Sequence, residues 1–310
     1  MFGFRPDGRR CKDIEPLVLI TPYIMPTRVD AMVFLQHKLD FEALSRYIAS
    51  LSQRGERVTY MQIIAAAYVR AVSEHPQINR YIINKQFFTR NNCTISFNIL
   101  RDQQNPSLGE TAVKIRFDLT DTLFDVRDRM VDVINVNRGV EAENALDKLL
   151  KFVLKIPGLP TGLVAVVKLL DRYGLCPMFL LDMLPMHTGL YMTNNTSIGM
   201  HAVNHHIYNF GSTSLFCAMG TLEKIAVVED GRTRMKRFLP LGLTADERVC
   251  SGANYSGFFG SFCHYINNPQ ELEVPPEKVL FDNGIEYHEP KLAELKAARE
   301  AKAAKKAKKK

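Results

Sequence analysis

The stretch that decides the fold lies near the end of the chain. A turn, Val228-Glu-Asp-Gly231, leads into an apolar-rich strand, Met235–Leu243. There follows Thr244-Ala-Asp246-Glu247-Arg248-Val249-Cys250-Ser251-Gly252-Ala253 and a phenylalanine-rich segment, Asn254–Ile266. Asp-Gly marks a tight hairpin, because its central positions need positive φ. Phe258, Phe259, Phe262 and Ile266 recur at helical spacing, and Asn268-Pro269 stops the helix. The reading is hairpin, long strand, polar turn, helix.

Working outward, Leu190–Thr193, Thr213–Gly220 and Lys224–Val228 read as further strands. Near the other end, Pro16, Pro22 and Pro26 punctuate an arm that leads into a strand at Val29–Leu35. Asp40 caps a helix at Phe41–Ser52, and Thr59 caps another from Tyr60 to about Glu74, stopped by Pro76. From Arg80 the period changes: residues 81–83, 86–89 and 93–100 read as successive antiparallel strands, and Thr111–Phe117 alternates cleanly. A helix runs from Leu123 to about Asn137. Within 141–188, Leu146–Leu154 and Leu163–Leu170 read as a helical hairpin broken by Pro157 and Pro160 and packed on the body or across a subunit interface. The pattern is α+β: one mixed sheet with flanking helices, in a single domain over residues 1–290 with a helical insert at about 141–188, then a basic Ala/Lys-rich tail at 291–310.

The 310 residues are 46% apolar and 24% charged, a globular composition that excludes a disordered or collagen-like chain. The longest uncharged apolar-rich run, Ile156–Val167, is too short and too broken by proline and glycine to span a bilayer. The N-terminus lacks the apolar core of a signal peptide. The net charge of +7 resides entirely in residues 291–310, which hold nine basic and two acidic side chains, so the body sums to zero. The high pI therefore describes a solvated tail, and nucleic acid is not an expected partner. The six cysteines form no CxxC pair or zinc-like Cys/His spacing, so no metal site is expected. They read as buried free thiols in a reducing, cytoplasmic setting.

Asp246, Arg248, Val249, Gly252 and Ala253 match the Asp-His-Arg-Val-x-Asp-Gly-Ala segment of the acyltransferase component of 2-oxoacid dehydrogenase complexes. The segment from Gln62 to Pro76-Gln-Ile-Asn79 is similar to that family's helix ending in Pro-x-x-Asn, and Tyr191-Met-Thr193-Asn194 to its strand bearing a serine or threonine. Across roughly residues 15–285 the chain resembles the catalytic domain of this family and its relative chloramphenicol acetyltransferase. The resemblance implies a chloramphenicol acetyltransferase-like fold and a homotrimer, possibly of higher assembly, with active sites between subunits. In the family a histidine deprotonates the thiol of CoA or dihydrolipoamide. The thiolate attacks a thioester carbonyl while a hydroxyl from the facing subunit holds the oxyanion.

Two departures stand out. Glu247 occupies the histidine position and Ser251 the position of the motif's second aspartate. Histidine suits the task because its pKa lies near working pH. A carboxyl ordinarily near 4.3 is a poor base for a thiol near 8.5 unless burial raises it. Thr193 remains as the candidate oxyanion donor. His205-His206-Ile-Tyr-Asn-Phe-Gly211 mimics a chloramphenicol acetyltransferase run, yet Phe210 stands where its aspartate belongs. Because this loop follows the Thr193 strand, His205 and His206 are the alternative bases; His187 and His264 have weaker claims. The candidate catalytic residues are thus Glu247, Thr193, Ser251, His205 and His206. The expected function is an acyltransferase-family protein with altered or lost activity. It would use CoA or acyl-CoA, or an acyl carrier, as substrate and hold no covalently bound cofactor. The alternatives are a non-catalytic trimeric scaffold or binder of a CoA-like ligand, and a binder of nucleic acid through the tail or of a membrane surface. The lysines among the leucines of 141–188 allow the last.

Overall fold

The computed structural model describes residues 5–100, 109–137 and 145–282 and the single position 297. The expected tail at 291–310 lies otherwise outside the described residues. β1 (Gly8–Arg10) precedes two short helices, α1 (Pro16–Leu19) and α2 (Thr21–Ile24), which occupy the proline-punctuated arm. β2 begins at Met32 rather than Val29, because residues 29–31 form a single 3₁₀ turn, and it continues to Asp40. The next two helices start where their caps are written. Asp40 accepts from the backbone N–H groups of Glu42 and Ala43 at 2.9 and 3.0 Å, opening α3 (Phe41–Gln53). Thr59 and Gln62 form a reciprocal capping box at the start of α4 (Tyr60–Glu74). β3 (Arg80–Ile83), β4 (Gln86–Arg90), β5 (Cys93–Leu100), β6 (Glu110–Phe117) and α5 (Leu123–Asn137) follow.

The insert forms α6 (Ala145–Val153), α7 (Leu159–Tyr173) and α8 (Met178–Met183). α7 is longer than Leu163–Leu170, because Pro160 sits in its first turn, where a missing N–H does no harm. β7 (Leu190–Asn194), β8 (Leu215–Met219), β9 (Glu223–Glu229), β10 (Arg232–Asp246) and α9 (Gly252–Asn267) complete the described fold. Asp230 and Gly231 both take positive φ, 51° and 72°, as the hairpin turn requires.

The strands divide into two sheets, not one. β1, β4 and β3 form a small antiparallel sheet. The main sheet has the order β2-β10-β8-β7-β5-β6, with β9 paired to β10. β5 therefore does not continue from β4; it runs parallel to β7 and antiparallel to β6. β7 and β8 are parallel, and β10 is antiparallel to both β8 and β2.

The period of two sorts the central strands onto two faces. Leu190, Met192, Leu215, Cys217, Met219, Leu241, Leu243 and Ala245 join the main core together with residues of α3, α4 and α9. Tyr191 and Phe216 point the other way and meet Ile207 of the loop at 199–214. That loop lies directly on the sheet. A Cβ on Gly242 would stand 2.2 Å from the Val203 carbonyl oxygen, and one on Gly220 would stand 2.0 Å from the Ala202 nitrogen. All six cysteines are free, and five are buried. No described helix is long and apolar enough to cross a membrane.

Candidate active site

The motif segment is anchored by a buried ion pair. Asp246, the last residue of β10, and Arg248 are 1% and 2% exposed. Arg248 donates from Nε and Nη2 to the two oxygens of Asp246, both at 2.8 Å, in the bidentate geometry a guanidinium offers a carboxylate. Its Nη1 donates to the Met25 carbonyl at 2.8 Å, and the Tyr255 hydroxyl donates to the Asp246 carbonyl. A second buried arginine, Arg28, brings its Nε to 3.9 Å from Asp246. These contacts fix the turn between β10 and α9. The arm residues enter them with no periodic signal in the sequence, and Arg28 carries no mark there of its position.

Glu247 projects from this fixed turn. Its backbone N–H donates to the Ala31 carbonyl at 2.9 Å, while its side chain is exposed and has no partner among the described residues. The burial that a glutamate base requires is absent at this position in a single chain. Ser251 is the N-cap of α9, its Oγ facing the Asn254 N–H at 3.5 Å and accepting from Asn254 Nδ2 at 3.1 Å. It lines a cleft with Arg80 and Asp282. Arg80 donates to both oxygens of Asp282 at 2.5 Å. A carboxylate from beyond α9 thus serves an arginine beside the position where the family motif has its own.

Thr193 is half-buried near the end of β7, and its Oγ1 donates to Asn195 Oδ1 at 3.1 Å. It borders a cavity of about 510 Å³ whose apolar lining includes Phe41, Phe97, Met219 and Leu239. The register places Thr193 level with Ala218 and Gly242. Glu247 lies five residues beyond Gly242, just past the end of β10 and toward the opposite end of the sheet. One chain therefore does not bring the two together.

His205 is half-buried, with its ring stacked on Phe216 at a centroid distance of 4.0 Å. Its Nδ1 lies 2.8 Å from the His206 carbonyl oxygen. Burial lowers its pKa below 6.5. His206 is exposed. His205 shares the loop-covered face of the sheet with Tyr191 and Phe216, the face toward which the alternation also turns Thr193. His187 is buried instead among Asp7, Arg90 and Lys114, and His264 bonds Glu271 at the surface. Among the described residues, no three metal-ligating side chains converge.

The arrangement is a mixed sheet with flanking helices, and its likenesses lie among acyltransferase catalytic domains. Residues 190–274, from β7 to just beyond α9, match the family model described as 2-oxoacid dehydrogenases acyltransferase (catalytic domain). Among solved structures, a probable dihydrolipoamide acetyltransferase from Listeria monocytogenes 4b F2365 is similar in fold. Its TM-score is 0.51 at 14% identity, covering 83% of this chain and 94% of that one. A chloramphenicol acetyltransferase gives 0.49 at 9% identity, covering 84% and 99%. A truncated catalytic core of the 2-oxoacid dehydrogenase multienzyme complex from Thermoplasma acidophilum gives 0.49 at 13% identity, with the same coverage. No curated protein matches the sequence. The resemblance drawn from the sequence is borne out over residues 190–274 by the family match and, as a fold, by the Listeria structure.

Proposed function

We propose that the chain is an acyltransferase-fold protein that binds a thioester-bearing molecule, such as an acyl-CoA or an acylated carrier, in the cavity at Thr193. Its chemical step is slow or absent. The observation that supports this is the pairing of a largely apolar cavity beside a hydroxyl donor with an exposed glutamate where the family places its base. Acyl transfer to a thiol needs the thiol proton removed. The thiolate sulfur then bonds to the carbonyl carbon, the old C–S bond breaks, and the proton passes to the departing thiolate. Thr193 Oγ1, once turned from Asn195 Oδ1, suits the oxyanion, a contact worth about 3 kcal/mol where enzymes use it. Acetyl transfer from acetyl-CoA to dihydrolipoamide, followed by the appearance of S-acetyldihydrolipoamide in mass spectrometry, tests the reading. Wild-type turnover should fall far below that of family enzymes, while acyl-CoA still binds.

We propose a cytoplasmic homotrimer, following the family resemblance and the six free thiols. The helical insert supports self-association. Phe152, Leu154, Val166, Leu169, Leu175 and Phe179 are all more than half exposed, a density of large apolar side chains that a monomer rarely leaves in water. A second copy would cover them. Binding of a monomer to anionic vesicles would favour the membrane surface in its place.

A further inference from the structure

The body of the chain sums to zero charge, yet cations converge on one cavity. It measures about 420 Å³, within the range of small-molecule sites. Arg28, Lys85, Lys168, Arg172 and Arg248 line it, against the single carboxylate of Asp171. The elements that bring them there are far apart in sequence: the proline-rich arm, the β3–β4 turn, helix α7 of the insert, and the turn after β10.

The cations sit in two tiers. At the base, Arg28 and Arg248 are 5% and 2% exposed and share one carboxylate. Arg248 holds Asp246 bidentately, leaving Arg28 at 3.9 Å from it. The other Arg28 contacts are to the neutral carbonyls of Asn209 and Ile82, at 3.2 and 3.1 Å. Burial pushes Arg28 down to about 10, against the attraction of Asp246 and, more weakly, Asp171, and with repulsion from Arg248 and Arg90. Asp171 is already held by Arg5 at 2.6 Å. Arg5 also holds Asp7 at 2.9 Å, so three buried arginines meet three carboxylates behind the base, and the cations without a carboxylate partner stand at the mouth.

At the mouth, Lys168 and Arg172 occupy one face of α7, four residues apart. Lys85 stands opposite, at the tip of the β3–β4 turn, with its Nζ 4.5 Å over the Tyr23 ring. Arg172 donates to the neutral Asn84 Oδ1 at 3.2 Å. None of the three has a carboxylate partner among the described residues. Asn84 and Lys85 both take positive φ, 51° and 60°, as the two-residue turn between β3 and β4 requires. Like charges gathered on a concave wall repel one another unless an anion joins them, and a concave site concentrates their field.

We propose that this cavity is a binding site for a phosphate-bearing small molecule, its clustered phosphate oxygens held between the Lys85, Lys168 and Arg172 mouth and the arginine base. The site is separate from the Thr193 cavity, and the proposal does not depend on the acyl-transfer reading. Clustered phosphate fits better than a lone carboxylate, because five cations on different sides of a cavity match several charged oxygens at once.

Titration calorimetry with sodium pyrophosphate and with ADP, at 50 and at 300 mM salt, tests it. The wild-type chain should bind at least one of the two with a micromolar Kd, weakening at the higher salt. The double variant Lys168→Ala/Arg172→Ala should bind at least tenfold more weakly, and Lys85→Ala several-fold more weakly. All three side chains are exposed, so unchanged melting curves establish that the variants fold. Two separate substitutions keep the test decisive if one disturbs α7. Failure of both probes to bind below millimolar concentration would overturn the proposal, as would equal binding by wild type and variants. Association with phosphatidylglycerol vesicles without pyrophosphate or ADP binding would overturn it in favour of a lipid headgroup. Since no acyl transfer is measured, this result and the fate of the thioester reading are independent.

Discussion

Glu247 is the residue on which the chemistry turns, and it can be tested by substitution. Its side chain is exposed on a turn whose geometry is set by Asp246, Arg248 and the Ala31 carbonyl rather than by itself. Glu247→Gln should therefore leave acyl transfer at the wild-type level. The double change Glu247→His/Ser251→Asp should raise dihydrolipoamide acetylation above that level. An aspartate at 251 keeps the α9 cap and lies in the cleft that holds Arg80. Strong wild-type activity that disappears in Glu247→Gln would show that glutamate is a working base. A second residue-scale effect belongs to His187, which is 5% exposed with neither ring nitrogen hydrogen-bonded. Burial lowers its pKa from 6.5 to about 3. The unfolded chain takes up that proton near pH 6.5 and the folded chain does not, so folding weakens as pH falls from about 6.5 toward 3. The slope is at most roughly 1.4 kcal/mol per pH unit. His187→Phe should flatten this part of a melting-temperature profile against pH; an unchanged acid limb would refute the assignment.

At the scale of elements, glycines report how closely the chain packs on itself. Gly242 faces the Val203 carbonyl so closely that Gly242→Ala must lift the loop that carries His205. A loss of about 1–3 kcal/mol is expected in urea unfolding. Gly162, inside α7 with nothing within 4 Å of its Cβ position, gives the opposite sign, and Gly162→Ala should stabilise by about 0.5–1 kcal/mol. The contrast also explains what the sequence made legible. Asp40 and Thr59 announce α3 and α4 because a cap acts on backbone groups two or three residues away. The Asp230-Gly231 hairpin is legible for the same local reason. The division into two sheets is not, because β4 takes β1, some eighty residues earlier, as its partner, and no local pattern encodes that pairing. The motif located Asp246 and Arg248, whereas Arg28 and Asp282 are single charged residues in irregular segments, and only the folded chain gives them partners.

At the scale of the whole molecule, light scattering at micromolar concentration should give a mass near three chains, and a mass near one would refute the trimer. Truncation after Pro290 should leave that mass and the melting temperature within a few degrees unchanged, since the tail sequence offers only Leu292 and Leu295 for packing. It should also bring the pI close to neutral, because the removed residues carry the whole net charge. The long strand β10 has a further consequence, which is mechanical. Its fifteen residues span about 50 Å, at roughly 3.3 Å each. The Asp230-Gly231 tip is thereby joined to the Asp246–Arg248 pair by one continuous rod. From Phe238 to Asp246 that rod is bonded to β2 through nine residue pairs, and part of the same stretch is bonded to β8. A tug on the tip along the strand loads these bonds together, in shear, so none can yield before the rest. The β9–β10 ribbon behaves as a stiff handle whose far end is the motif turn.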